Sequence, residues 1–271
     1  MNERLALKRM IAELRGRMRE FTDVRKGKNV VYGVEGVGMA AFSVFFMQNP
    51  SFLEHQRVMK ESTGCDNVER LFGLQGTPSD NEIRKLLDPV SPDGLSGMYR
   101  WVFEELDRGE VLRSMRSYGN NLLVALDGTW YFSSKEIHCA NCSSRELTDG
   151  TLLYFHSLIT PVVVAPGNEH VVALEPEFIL PQDGHDKQDC EMQAAKRWIN
   201  KQGRHYASRG VTILGDDLFS RQPFCQLLQD NRFHFILVCK PDTHPILYET
   251  LDFLSRSHLK NTLSSRIMQA K

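Results

Sequence analysis

The sequence lacks the features that mark several large classes of protein. Its 33 Lys and Arg nearly balance 34 Asp and Glu, so a chain that is basic throughout and coats nucleic acid is excluded. The longest apolar stretch, Val37 to Met47, has 11 residues, whereas a membrane-spanning helix needs ~20. Four of the six cysteines are isolated, which excludes a disulfide scaffold and indicates reduced thiols.

The remaining composition is typical of a globular protein. A length of 271 residues suffices for one large or two modest domains, and 41% apolar with 25% charged residues is ordinary. The first residues, MNERLALKRM, lack the apolar region of a signal peptide. We therefore expect an intracellular protein that does not partner a membrane.

Positive charge is concentrated at the N-terminus. Residues 1–28 contain nine Lys or Arg against four acids. Apolar residues recur there at helical spacing (Leu5, Leu7, Ile11, Leu14, Met18). This pattern predicts a basic amphipathic helix, which either contacts phosphates or forms a solvated face of the domain.

Helical patterns continue to about residue 118. Val34 to Met47 predicts a core helix, and Ser51 with Glu54 matches the capping box that begins a helix. Ser79 and Glu82 repeat that spacing, and Met98 to Leu112 predicts a fourth helix. We predict a helical N-terminal domain over residues 1–118, with DNA binding as its expected role.

From residue 119 onward the pattern changes to an alternation of strands and helices. LLVALDGTWYFSS predicts a strand that enters a turn. Further strands are predicted at Tyr154 to Val164, Val171 to Leu174, VTILGDD and Phe233 to Cys239, and a helix at Asp189 to Arg204. This order predicts an α/β domain over 119–271. Its mixed sheet would have three antiparallel strands first and parallel crossovers after them.

Acidic residues follow two of the predicted strands. Asp127 ends LLVAL, and Asp216 with Asp217 ends VTILG. If these strands are neighbours, their backbones lie ~4.8 Å apart, and two carboxylates can share a cation. Hard oxygen ligands of this kind suit Mg²⁺ and phosphodiester chemistry. Alternatively, Asp127 belongs to a turn and Asp216 caps a helix that begins near residue 218.

A second candidate site is the CxxC pair Cys139 and Cys142. Zinc requires four nitrogen or sulfur ligands, so His185 and Cys190 are candidate partners, and ordinary free thiols are the alternative. Farther along, Glu191, Lys196 and Arg197 lie on a predicted helix, where we expect a solvated face, with contact of the basic pair to a DNA backbone as the alternative.

Several segments resemble bacterial insertion-sequence transposases of the DDE type, in the broad IS4-like group. The resemblance runs in order from about residue 30 onward, through the segments GVGMAAFSVFFMQNPSFLEHQR, LDGTWYFSSKEIHCANCSSR, KQDCEMQAAKRWI, ILGDDLFSRQPFC and CKPDTHPILYE. It implies a ribonuclease-H-like catalytic domain whose acidic triad binds Mg²⁺ or Mn²⁺. By position, Asp127 matches the first aspartate of the triad and Asp216 the second, with Asp217 as the alternative.

The third acid of that family is a glutamate on a later helix. Glu249 lies 33 positions after Asp216 and is the candidate here, although its surroundings resemble family sequence that precedes an insertion. Since the chain ends at Lys271, we expect the glutamate to be absent and the chain to be C-terminally truncated.

The resemblance also implies partners and location. The protein would bind the inverted repeats of its element and target DNA, in a homo-oligomer, and would be cytoplasmic and nucleoid-associated in a bacterium. Water and then a DNA 3′-hydroxyl would attack a phosphodiester. Two alternatives remain open, a DNA-binding remnant without catalysis and a ribonuclease-H-like metal-dependent nuclease that uses Glu249.

Overall fold

A computed structural model of the chain describes residues 7–25, 30–60, 67–74, 76–180 and 187–256. The chain divides into two compact units, Met1–Ser114 and Met115–Lys271. None of the helices in these described ranges is long and apolar enough to cross a membrane.

The first unit is helical in its described residues. Its α-helices are α1 (Leu7–Arg19), α2 (Val34–Phe46), α3 (Phe52–Lys60), α4 (Asp80–Leu87) and α5 (Ser96–Arg108). Shorter turns of helix lie at Asn67–Leu71, Pro92–Leu95 and Val111–Met115. The core of this unit includes the apolar residues Ile11, Leu14, Met18, Val37, Met39, Phe72, Ile83 and Leu86.

Two predicted caps begin helices of this unit. The backbone N–H of Glu54 donates to Ser51 Oγ at 3.1 Å, directly before α3. The N–H of Glu82 donates to Ser79 Oγ at 3.2 Å, before α4. Both bonds satisfy backbone donors that have no partner within the helix. The two helix starts are therefore confirmed.

The arginines of α1 pair with acids of their own unit. Arg15 and Arg19 reach Glu35 at 3.2 and 2.5 Å, and Arg17 pairs with Glu13 at 2.7 Å. These pairs neutralise part of the positive charge that the sequence places on the helix. Phosphate contact by α1 stays a prediction. Because its arginines are paired with acids, fewer of its positive charges are available to a phosphate.

The second unit combines strands with helices. Its strands are β1 (Leu122–Ala125), β2 (Gly128–Ser134), β3 (Ser143–Glu146), β4 (Leu152–Ile159), β5 (Val162–Val164), β6 (Val172–Ala173), β7 (Glu177–Phe178), β8 (Val211–Gly215) and β9 (His234–Leu237). Its α-helices are α6 (Lys187–Ala207), α7 (Gln222–Asp230) and α8 (Pro245–Arg256). Short 3₁₀ turns lie at Tyr118–Asn120 and Asp217–Phe219.

The main sheet of this unit is mixed, with the order β6-β5-β1-β8-β9. Antiparallel pairing joins β1 to β5 and β5 to β6, whereas β8 is parallel to both β1 and β9. Apolar runs such as LLVA and VTIL supply its buried strands. The predicted α/β class with a mixed sheet is confirmed.

A second sheet, β2-β4-β3 with β7 on β4, was not predicted. It shares two sequence runs with the main sheet: the strands are interrupted at Asp127 and at Thr160-Pro161, but the two runs keep one antiparallel register, with Ala125 opposite Val162 and Gly128 opposite Ile159. The N–H of Thr160 donates to the Asp127 carbonyl at 3.0 Å and links the two pairings, and Pro161 has no N–H to extend the ladder. The chain therefore leaves the main sheet at Asp127 and returns to it at Pro161.

Candidate functional site

Asp127 and Asp216 occupy matching positions on two adjacent parallel strands. Ala125 of β1 is the register partner of Leu214 of β8, and each aspartate lies two residues farther along its strand. The N–H of Leu126 donates to the Leu214 carbonyl at 2.9 Å, which continues the pairing towards the acids. With neighbouring strands ~4.8 Å apart, the two carboxylates emerge side by side at one sheet edge.

Both carboxylates are exposed and make local hydrogen bonds. Asp127 Oδ1 accepts from the N–H of Gly128 at 2.8 Å, and Asp216 Oδ1 accepts from the N–H of Leu218 at 2.9 Å. Among the described residues, these are the hydrogen bonds that the two side chains make. One oxygen of each carboxylate therefore remains available to a ligand. Asp216 also acts as the predicted cap, of a short 3₁₀ turn.

Asp217 is held very differently from Asp216. Its carboxylate is buried, and it accepts hydrogen bonds from the N–H of Lys240 and from Thr243 Oγ1, both at 2.7 Å. The Thr243 bond, followed by the Lys240 backbone bond, holds the pKa of Asp217 below its ordinary value. Asp217 therefore anchors the loop after β9 to the end of β8 and is poorly placed to bind an external ligand.

A third carboxyl group lies close to Asp127. Glu191 of α6 is buried, and a Cβ added at Gly128 would lie 2.5 Å from its carboxyl carbon. The Glu191 carboxyl group therefore packs against the backbone that directly follows Asp127, and only glycine fits at position 128 without displacing it. The expectation that Glu191 lies on a solvated face is wrong.

Arg197 is also not on a solvated face. Its Nε donates to Glu177 Oε1 at 2.7 Å, and Lys201 Nζ lies 3.0 Å from Glu177 Oε2. Glu177 is buried on β7, so this carboxylate ties α6 to the second sheet. Sequence reasoning missed the pair because β7 has two residues and too little pattern to be recognised.

Glu249 lies on α8 with an exposed side chain. In the described part of the chain, one group of three acidic, histidine or cysteine side chains brings its donor atoms within 4.8 Å of one another, and it contains no acid. Neither Glu249 nor Glu191 therefore completes a compact three-donor cluster with Asp127 and Asp216.

That one group is Cys139, Cys142 and His156. The two sulfurs lie 3.8 Å apart, and His156 Nε2 lies 3.3 Å from Cys139 Sγ and 3.2 Å from Cys142 Sγ. Burial raises the pKa of the Cys142 thiol and lowers the pKa of His156. The neutral imidazole that results is the form that binds metals.

The structure brings to the CxxC pair a residue that was not among the predicted partners, His156. His185 and the side chain of Cys190 lie outside the described residues. His156 was overlooked because it lies within the apolar strand β4, where the sequence pattern predicts a residue that only packs in the sheet. Pairing of β4 with β2 and β3 brings it to the loop that carries the cysteines.

Comparison of the chain with protein-family models, with curated proteins and with solved structures finds no match in any of the three.

Proposed function

We propose that this protein is a DDE-type DNA transposase that cuts and joins phosphodiesters at the inverted repeats of an insertion sequence. The observation that carries the proposal is the pair of exposed aspartates, Asp127 and Asp216, at register-matched ends of adjacent parallel strands. Two carboxylates so close repel each other in the absence of a cation, which favours a functional reason for the arrangement.

The topology of the main sheet supports the proposal. Three strands joined by antiparallel pairing, β1, β5 and β6, precede two that run parallel to β1. This is the strand order expected of a ribonuclease-H-like catalytic domain. The two proposed metal ligands follow the central strand and its parallel neighbour, where the rigid backbone holds them.

The residues present fit a hard divalent cation. Asp127 and Asp216 each keep one carboxylate oxygen outside their backbone hydrogen bond, and exposure leaves room for waters and a phosphate. Mg²⁺ or Mn²⁺ bound there would neutralise phosphate charge and polarise the attacking and leaving oxygens. Lys240 begins the adjoining loop with an exposed side chain, in reach of a DNA backbone.

A second candidate is a non-catalytic DNA-binding protein, derived from such an enzyme. It is favoured by one observation, that within the described ranges no third carboxylate joins the two aspartates in a compact cluster. In this case the protein would occupy the inverted repeats or enter oligomers with an intact relative. A ribonuclease-H-like nuclease would instead require Glu249 to approach the pair.

A nicking assay separates these functions. The purified full chain is incubated with Mg²⁺ or Mn²⁺ and a plasmid that carries the genomic DNA flanking its gene. Asp127→Asn and Asp216→Asn are the test variants. Asp149→Asn is the matched control, because Asp149 is exposed and also accepts a local backbone bond, from the N–H of Thr151 at 2.9 Å.

For the transposase we expect metal-dependent nicks at the element ends that both test variants abolish and the control retains. Equal nicking by all four proteins would show a contaminating nuclease and overturn the proposal. No nicking, with end-specific gel shifts that all four proteins share, would favour the non-catalytic binding protein. Nicking without end preference that Glu249→Gln abolishes would favour the nuclease.

A further inference from the structure

The geometry points to a zinc site formed by Cys139 Sγ, Cys142 Sγ and His156 Nε2. The cysteines lie in the loop between β2 and β3, and His156 lies on β4, so the site would join that loop to the centre of the second sheet. It is independent of the carboxylate pair and of the function proposed for it.

The sulfur–sulfur distance matches that of a tetrahedral zinc centre, and the two sulfur–nitrogen distances are a few tenths of an ångström shorter. With Zn–S near 2.3 Å, Zn–N near 2.1 Å and tetrahedral angles, two sulfurs lie about 3.8 Å apart and sulfur lies about 3.6 Å from nitrogen. The corresponding distances here are 3.8 Å between the sulfurs and 3.2 and 3.3 Å from sulfur to nitrogen. One ion can therefore reach all three atoms with shifts of a few tenths of an ångström.

Neither a disulfide nor simple hydrogen bonding accounts for this arrangement. A disulfide brings its sulfurs to about 2.05 Å, and the two cysteines are free thiols. Hydrogen bonding accounts for one contact only, because a neutral imidazole nitrogen offers one lone pair or one proton. Convergence of two sulfurs on His156 Nε2 is the pattern of shared coordination.

The surroundings hold the ligands in place. The ring of Tyr131 stacks on His156 with centroids 5.7 Å apart, which restricts the orientation of the imidazole. The N–H of Cys139 donates to Cys142 Sγ at 3.3 Å, which fixes the position of that sulfur. Outer contacts of this kind orient ligands and tune the metal.

The loop between β2 and β3 buries little apolar surface. Ile137 is 67% exposed and Cys139 is exposed, so the loop contributes little to an apolar core. Backbone bonds to Ser134 Oγ, from Glu136 and Ile137, secure its beginning. A metal shared with β4 would secure the far end of the loop. Because the site does not exist in the unfolded chain, the free energy of metal binding would stabilise the folded state.

Among the described residues no fourth acidic, histidine or cysteine donor joins the three. His138, beside Cys139, instead stacks on Tyr154 with ring centroids 4.3 Å apart, and its Nδ1 lies 3.1 Å from the Glu136 carbonyl oxygen. The fourth position is therefore open to water or to another donor, and the proposal concerns the three ligands named above.

The test is metal analysis of the full chain, expressed with zinc and purified without chelator. We expect one zinc per chain, lost in Cys142→Ser and in His156→Gln. Cys225→Ser and His170→Gln are matched controls, because both residues lie outside the cluster, and both variants should keep the metal. Zinc retained by His156→Gln but lost by Cys190→Ser would overturn this ligand set.

Two measurements on the unmodified chain guard against variants that fail to fold. In the zinc-loaded protein, addition of a strong chelator should expose two additional thiols to a thiol reagent. Replacement by Co²⁺ should give the visible bands of a tetrahedral site together with thiolate charge-transfer absorption. A chain that takes up no stoichiometric metal and shows equal thiol reactivity with and without chelator refutes the site.

Discussion

Asp216→Asn should stabilise the metal-free protein, although it removes a charged residue from a structured turn. Asparagine caps helical turns as well as aspartate does, so the bond from the N–H of Leu218 is kept. What changes is the repulsion between Asp216 and Asp127 at the sheet edge. The variant therefore isolates the electrostatic cost of placing two carboxylates on neighbouring strands.

The size of that cost follows from the strand spacing. Two unit charges about 5 Å apart repel by about 0.8 kcal/mol at the dielectric constant of water and about 3 kcal/mol at an effective value of 20. Because both side chains are exposed, the lower value applies, and physiological salt reduces it further. We expect a gain of about 0.5 kcal/mol in the free energy of unfolding, or about 1–2 °C in Tm.

The assay is thermal unfolding of the wild type, Asp216→Asn and the control Asp149→Asn, first in EDTA and then in MgCl₂. In EDTA, Asp216→Asn should melt slightly above the wild type. In MgCl₂ the wild type should gain stability by ligand binding, whereas Asp216→Asn should not. A variant that melts below the wild type in EDTA, or an equal magnesium effect on all three proteins, would refute the reasoning.

Three further predictions concern stability of the full chain, measured by urea or thermal unfolding. Burial lowers the pKa of His55, whose Nε2 contacts Ser43 Oγ at 2.8 Å, so the folded chain resists a proton that the unfolded chain takes up. The contribution of His55 to the free energy of unfolding should therefore be fully present above the unfolded pKa of about 6.5 and be lost as the pH falls below it. His55→Gln should reduce this dependence of the free energy of unfolding on pH. Ser79→Ala removes the cap that accepts from Glu82, and should cost about 1 kcal/mol, with Ser79→Asn recovering most of it. Glu177→Gln should lower the free energy of unfolding by about 1–2 kcal/mol, because the buried carboxylate loses its charged bonds to Arg197 and Lys201. The loss stays moderate because both cations can be hydrated instead. An unchanged Tm would contradict this prediction.

The contrast between Asp216 and Asp217 shows how position within a turn decides the role of identical side chains. Asp216 directs its carboxylate outward and bonds to the backbone two residues later. Asp217, one residue on, directs its carboxylate inward to Thr243 and Lys240. Loss of Asp217 should therefore lower stability first, whereas loss of Asp216 should abolish metal-dependent activity without lowering stability.

Local sequence determined much of the secondary structure. Ser51 and Ser79 cap their helices because a hydroxyl satisfies a backbone N–H three residues away, an interaction complete within one turn. The apolar runs at β1 and β8 predict buried strands, and the aspartates that follow them predict a carboxylate pair if the strands are adjacent. The caps and the two strands depend on neighbours in the chain, so they could be recognised from the sequence, whereas the adjacency of β1 and β8 could not.

Tertiary structure alone decided which strands pair and which distant groups meet. The run from Leu122 to Ser134 predicts a strand that enters a turn, yet it supplies strands to two sheets, because pairing depends on partners far along the chain. His156 reaches Cys139 and Cys142 only through the pairing of β4 with β2 and β3. Glu191 is buried because Gly128 leaves room for its carboxyl group. Such contacts join residues that are far apart in the sequence, so they depend on which strands pair and how the helices pack on them.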